Sequence, residues 1–212
     1  MNILNITSKN IALFNENLRY DSPADILSFV LNLAERPVVT TSFGTYSAAV
    51  LHATTKVNKQ IPIIWCDTGF NTDATYQHAL TLIDKLSLSV DIFTPRLTTA
   101  FLKHTIGTPE ISNPMHAEFS EKVKLEPFNR AFKKHNPDVW ITNLRKDQNT
   151  FRSNLDILTL TSNGVLKVAP FFYYSNTEIV AYLKKHRLPI EFDYYDPVKA
   201  LENRECGIHL KN

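Results

Sequence analysis

The strongest constraint on the fold is a unit that recurs along the chain: a short apolar run, a polar turn, then a helix-like segment. Pro37 precedes the run Val38-Val39-Thr40-Thr41-Ser42, Gly44 breaks it, and Ala48, Ala49, Leu51 and Ala53 mark a helix beyond. Ile61-Pro62-Ile63-Ile64-Trp65-Cys66 reads as a buried strand closing on Asp67-Thr68-Gly69, with a helix from about Thr72 to Leu86 and a strand at Val90-Asp91-Ile92-Phe93. Pro127 to His135 reads as helix and Val139-Trp140-Ile141-Thr142 as strand. Strands alternating with helices predict an α/β fold: a mostly parallel sheet with helices on both faces.

The remaining segments punctuate this pattern. Ser22-Pro23 followed by Asp25 predicts a helix start, with a capping hydroxyl, Pro at the first helical position and an acid in the first turn; the helix should run to about Ala34. Asn163-Gly164 between Ile157–Thr161 and Val165–Val168 is a hairpin signal. Ser175-Asn176-Thr177-Glu178 is a capping box opening a helix to His186. With 212 residues and no repeat or Gly/Ser linker, residues 1–212 read as one domain.

Sheets of this kind bind ligands at the carboxyl ends of their strands, and there the polar clusters fall. Thr40, Thr41, Ser42, Phe43, Gly44 and Thr45 form a strand-to-helix turn whose amides and hydroxyls suit a phosphate or sulfate. From spacing alone it serves equally as a capped helix start with no ligand. Asp67, Thr68 and Gly69 could hold a ribose or an adenine edge, or form an ordinary turn. Arg145, Lys146, Gln148 and Arg152 follow a later strand; arginine forks match phosphate and sulfate oxygens, although a solvated charged loop needs no ligand. Neither GxGxxG nor GxxxxGK[ST] occurs, which counts against dinucleotide folds and Walker-type ATPases.

Charge and cysteine usage bound the rest. The net charge of +2 is too small to argue for a nucleic-acid or membrane surface. The first residues lack the pattern of a signal peptide, no apolar stretch approaches the roughly 20 residues of a membrane span, and the cytoplasm is the expected compartment. Cys66 and Cys206 are the only cysteines, and the seven histidines show no paired ligand spacing, so no metal site is read. Cys66 reads as a strand-end core residue. Cys206 lies in a polar run, Arg204-Glu205-Cys206-Gly207-Ile208-His209, where Arg204 and a protonated His209 would favour the thiolate and Glu205 would oppose it.

In order and spacing these clusters resemble the phosphoadenylyl sulfate (PAPS) reductase family, from about Pro37 to the end of the chain. Val38 to Gly44 resembles that family's modified pyrophosphatase loop, which ends in Ser-Phe-Gly. Ile61 to Gly69 is similar to its strand closing on Asp-Thr-Gly, and Thr75-Tyr76 to its Glu-Thr-Tyr element. Lys124-Leu125-Glu126-Pro127-Phe128-Asn129-Arg130 resembles its Val-Glu-Pro-Met-Asn-Arg segment, and Leu144 to Gln148 with Arg152 its arginine loop. Glu205 to His209 resembles its catalytic Glu-Cys-Gly-Leu-His. Tyr195 to Leu201 leads almost directly to Glu202-Asn203-Arg204, a shorter approach to the cysteine than is usual there.

The resemblance implies an adenine-nucleotide alpha-hydrolase-like fold, a homodimer, and a mobile C-terminal tail (about 196–212) carrying Cys206 as nucleophile. Cys206 would attack the sulfur of PAPS, forming an S-sulfocysteine that thioredoxin or glutaredoxin resolves to sulfite. Substrate-binding roles are expected for Thr40, Thr41, Ser42, Phe43, Gly44, Asp67, Thr68, Gly69, Arg145, Lys146, Gln148, Arg152, Arg204 and His209. Adenylyl sulfate reductases of the same superfamily carry paired cysteines for an iron–sulfur cluster. Two cysteines in the whole chain do not supply its four thiolates, which favours PAPS and no bound cofactor. Two alternatives stand beside this reading. One is a pyrophosphatase-loop enzyme of adenylyl transfer, disfavoured because Ser42-Phe43-Gly44-Thr45 replaces Ser-Gly-Gly-x-Asp-Ser; the other is a non-catalytic nucleotide-binding paralogue.

Overall fold

The computed structural model describes residues 3–107, 114–148, 152, 155–196 and 198. Its strands are β1 (Pro37–Thr41), β2 (Ile63–Cys66), β3 (Val90–Phe93), β4 (Val139–Ile141), β5 (Leu158–Leu160) and β6 (Leu166–Val168). Its helices are α1 (Ile11–Leu18), α2 (Pro23–Leu31), α3 (Ser47–Val57), α4 (Asp73–Leu86), α5 (Thr99–Thr105), α6 (His116–Ser120), α7 (Glu126–His135) and α8 (Asn176–Lys185). The six strands form one sheet in the order β3-β2-β1-β4-β6-β5, parallel except for the β5–β6 hairpin.

Alternation within the strands explains the two covered faces. Val39, Ile63, Trp65, Ile141 and Val168 turn into the larger core, where α2, α3, α4 and α8 contribute Leu27, Val30, Leu51, Leu82 and Leu183. Val38, Ile64, Cys66 and Trp140 turn the other way, onto Phe128 and Ala131 of α7. Each β2 residue is buried, as expected for a central parallel strand with helices on both sides.

Side-chain caps set half of the described α-helix starts. Ser22 accepts the Asp25 amide ahead of Pro23, Thr72 accepts the Thr75 amide, and Ser175 and Glu178 complete the capping box of α8. The first of these helices ends at Leu31 rather than near Ala34, and Leu33 and Ala34 still pack against the core beyond its end. Helices α1, α5 and α6 had no sequence expectation. Between α6 and α7 the chain makes a π-helical turn, Glu121–Leu125. Pro127 follows and has no N–H to return to the Val123 carbonyl, so the regular i→i−4 ladder is interrupted there.

The order of connections creates the site. From β1 the chain proceeds to β2 and β3 on one side, and β4 then pairs with the opposite edge of β1. The turns after β1 and β4 therefore diverge and leave a crevice at their carboxyl ends. No described helix is long and apolar enough to cross a membrane. Arg204, Cys206 and His209, with nearly all of the expected tail, lie outside the described residues.

Candidate active site

The crevice between β1 and β4 opens into a cavity of about 320 Å³, within the range of small-ligand sites. One wall is the turn after β1, with Thr40, Thr41, Ser42, Gly44 and Thr45, leading into the first residue of α3, Ser47. The opposite wall is the segment after β4, with Thr142, Asn143, Leu144, Arg145, Gln148 and Arg152. Ile64, Cys66 and Phe128 give it an apolar side, and Lys124 and Tyr194 close it. Its lining among the described residues holds three cations and no carboxylate, so its field favours an anion.

The β1 turn is held from below. Thr40 accepts the Trp140 indole N–H at 2.8 Å, and the Phe43 amide donates to Thr41 Oγ1 at 3.0 Å. Phe43 adopts a left-handed conformation (φ 48°) and buries its ring edge-on against Trp65, 4.9 Å between centroids. It anchors the turn from the core side, away from the cavity. Gly44 faces the Tyr194 ring so closely that a Cβ there would lie 3.2 Å from it.

Arg145 is buried although its partners are neutral. Its Nη1 donates to the Tyr174 carbonyl at 3.2 Å and its Nη2 to Asn176 Oδ1 at 2.8 Å, while Nε is buried with no hydrogen-bond partner. The guanidinium lies over the Tyr46 ring, 5.0 Å from its centroid. Burial lowers the Arg145 pKa from its ordinary value, and the group nevertheless stays charged at neutral pH. Gln148 braces the loop: its Oε1 accepts from the Arg145 amide at 3.1 Å and from Arg152.

At the cavity mouth, buried Lys124 from the π-helical turn forms an ion pair with buried Asp196. The Tyr194 hydroxyl lies 3.0 Å from Ser42 Oγ and 3.2 Å from Asp196 Oδ2, and the Val198 amide donates to Asp196 Oδ1 at 3.0 Å. The last described stretch of chain is thereby fixed beside the anion-favouring walls. Cys66 lines the cavity, but burial raises its thiol pKa to about 12, so it stays protonated at neutral pH.

Of the residues expected from sequence, Thr40, Thr41, Ser42, Gly44, Arg145, Gln148 and Arg152 share this one cavity. Asp67, Thr68 and Gly69 end β2 outside its lining. Asp67 Oδ1 is already the acceptor for the Gly69 amide, Asn71 and Tyr76, and burial together with Asp67 raises the Tyr76 pKa to about 12. Gly69 has φ +75°, and a Cβ there would meet Thr99 Oγ1 at 2.5 Å, so this turn needs glycine for its backbone. Lys146 also stays off the lining and lies against the Tyr173 ring. Lys124, Asn143, Tyr194 and Asp196 were given no site role from sequence, although Lys124 and Asn143 lie in segments singled out there. A lysine between Val123 and Leu125, just ahead of Pro127, was a signal for the first, and Asn143 opens the polar cluster after β4; no local pattern marks Tyr194 or Asp196.

The phosphoadenosine phosphosulfate reductase domain profile matches residues 36–195. A phosphoadenosine 5'-phosphosulfate reductase from Zymomonas mobilis is 34% identical over 177 residues, covering 82% of this chain and 72% of its own length. In fold, the chain is similar to the PAPS reductase of Candida auris in its phosphate complex, with a TM-score of 0.77, 21% identity and coverage of 88% and 90% of the two chains. It is also similar to the FMN adenylyltransferase of Candida glabrata, with a TM-score of 0.60, 10% identity and coverage of 89% and 62%.

Proposed function

Starting from the fact that this chain belongs to the phosphoadenosine phosphosulfate reductase family, we propose that it reduces 3'-phosphoadenylyl sulfate to sulfite and adenosine 3',5'-bisphosphate in sulfate assimilation. One observation carries the reading: the cavity presents Arg145, buried and hydrogen-bonded among the described residues only to neutral oxygens, across from the Ser42 turn, and the chain leading to Cys206 is fixed at its mouth by the Lys124–Asp196 pair.

In this reading the phosphosulfate lies between the β1 turn and the Arg145–Arg152 segment, with the apolar side at Ile64 and Phe128 left for the base. The Cys206 thiolate attacks sulfur; the bond from sulfur to the bridging oxygen breaks, and its electron pair leaves on the phosphate of adenosine bisphosphate. The cations and the start of α3 stabilise charge as it develops on that oxygen. The product on the enzyme is S-sulfocysteine. A thioredoxin or glutaredoxin thiolate attacks the Cys206 sulfur, sulfite departs with the S–S electron pair, and a second thiol, from the donor or from glutathione, releases Cys206 from the mixed disulfide. The two electrons come from the dithiol donor, so no bound cofactor is needed for this route. The assembly expected with it is a homodimer.

Cys206 lies eight residues beyond Val198. Extended, this stretch spans about 26 Å, ample to bring the thiol into a cavity whose wall begins at Tyr194. The test is sulfite release from PAPS with thioredoxin, for the wild type and Cys206→Ser. Sulfite from the wild type and none from the variant is expected. Equal sulfite from both removes the nucleophile; none from either, with adenosine bisphosphate still bound, makes the chain a nucleotide-binding module.

A further inference from the structure

We propose that Asp196 is a positioning residue for the thiol step, acting through Lys124 and through the start of the segment that carries Cys206; this rests on the reading of the site given above. Lys124 and Asp196 are both almost fully buried, with side chains 5% and 3% exposed. Neither charge has bulk water to fall back on, so each fixes the other in place. One end of the pair, Lys124, lines the anion cavity. The other belongs to the chain that continues to the nucleophile.

The carboxylate has three tasks at once. One oxygen takes Lys124 and lies within reach of the Tyr194 hydroxyl, which also reaches Ser42 in the β1 turn. The second oxygen accepts the Val198 amide and so shapes the turn that seats Val198. Val198 is buried among Leu102, Ile106, Phe119 and Val123. The chain is thus held at Val198, eight positions before Cys206. Without the carboxylate the chain is still held at Tyr194, against Gly44 and Ser42, but loses its two described contacts nearest to Cys206, the Lys124 pair and the Val198 turn. An amide in place of the carboxylate also turns an N–H donor or a neutral oxygen toward the Lys124 ammonium, which loosens the cation as well.

Removing a negative charge beside an anion cavity should leave nucleotide affinity unchanged or higher. Asp196→Asn is therefore expected to bind adenosine 3',5'-bisphosphate at least as tightly as the wild type, by calorimetry. Its rate of S-sulfocysteine formation at saturating PAPS, followed by intact-protein mass, should fall severalfold. Asp196→Glu should recover most of that rate. An unchanged saturating rate in Asp196→Asn overturns the proposal. So does a joint fall in affinity and rate, the mark of general disruption, or an Asp196→Glu variant as slow as the amide. A wild type that forms no S-sulfocysteine sinks the proposed reaction itself, a result distinct from a fast wild type matched by a fast Asp196→Asn.

Discussion

Among the described residues Arg145 meets the cavity with two nitrogens on neutral oxygens and Nε without a hydrogen-bond partner, and no carboxylate is hydrogen-bonded to it. An anionic ligand would complete its hydrogen bonding, and charge-assisted bonds of this kind contribute about 1.5–3 kcal/mol each. Arg145→Met should accordingly weaken adenosine 3',5'-bisphosphate binding by roughly 10- to 100-fold. Arg145→Lys should recover little of it, because an ammonium cannot reproduce the planar fork. Calorimetric titration decides the matter, and an undiminished affinity in Arg145→Met would remove Arg145 from the binding site. Sequence marked this basic segment, but it could not say which cation turns inward. The short 3-10 turn at Lys146–Gln148 does that, carrying Lys146 to Tyr173 while Gln148 folds back on the Arg145 amide.

At the scale of elements, α8 supports the site from a distance. Its capping box fixes the first turn, and its first residue, Asn176, holds Nη2 of Arg145. Ser175→Ala removes the hydroxyl that accepts the Glu178 amide and should cost about 1 kcal/mol in urea unfolding. A fraying first turn should also weaken nucleotide binding measurably, although Ser175 lies outside the cavity lining. Equal stability and equal affinity in the variant would contradict this link. The box was legible because its four residues are contiguous. The π-helical turn was not, since Pro127 signals an interrupted ladder but does not say which side chain the interruption swings into the cavity.

For the molecule as a whole, the seam between α3 and α8 joins the two cavity walls and contains a pH-sensitive group. His52 on α3 is buried, with Nδ1 2.9 Å from the Tyr182 hydroxyl and its ring 4.5 Å from that of His186. Burial first, then His186 and Lys56, pull its pKa from the ordinary 6.5 down to about 4. The unfolded chain takes up this proton near pH 6.5 and the folded chain only near pH 4. Stability therefore falls as pH drops through that window, by about 2 kcal/mol between pH 7 and 5 from this group. Urea unfolding at both pH values should show a smaller loss for His52→Gln than for the wild type; equal losses would rule the histidine out as the source.

What the sequence determined by itself is whatever depends on contiguous residues. The period of apolar runs gave the α/β sheet and a helix from about Thr72, the capping signals gave helix starts at Ser22 and Ser175, and Asn163-Gly164 gave the hairpin. The polar turns after β1 and β4 could be placed at the carboxyl ends of strands for the same reason. Only the tertiary structure decided that these two turns share one crevice, because that follows from β4 pairing with β1 across about 100 residues. It also decided that Phe43 faces the core, that Asp67 serves its own turn, and that Lys124 meets Asp196 across 72 positions of chain. Burial and ion pairing between distant residues leave no period or spacing in the chain, so packing alone reveals them.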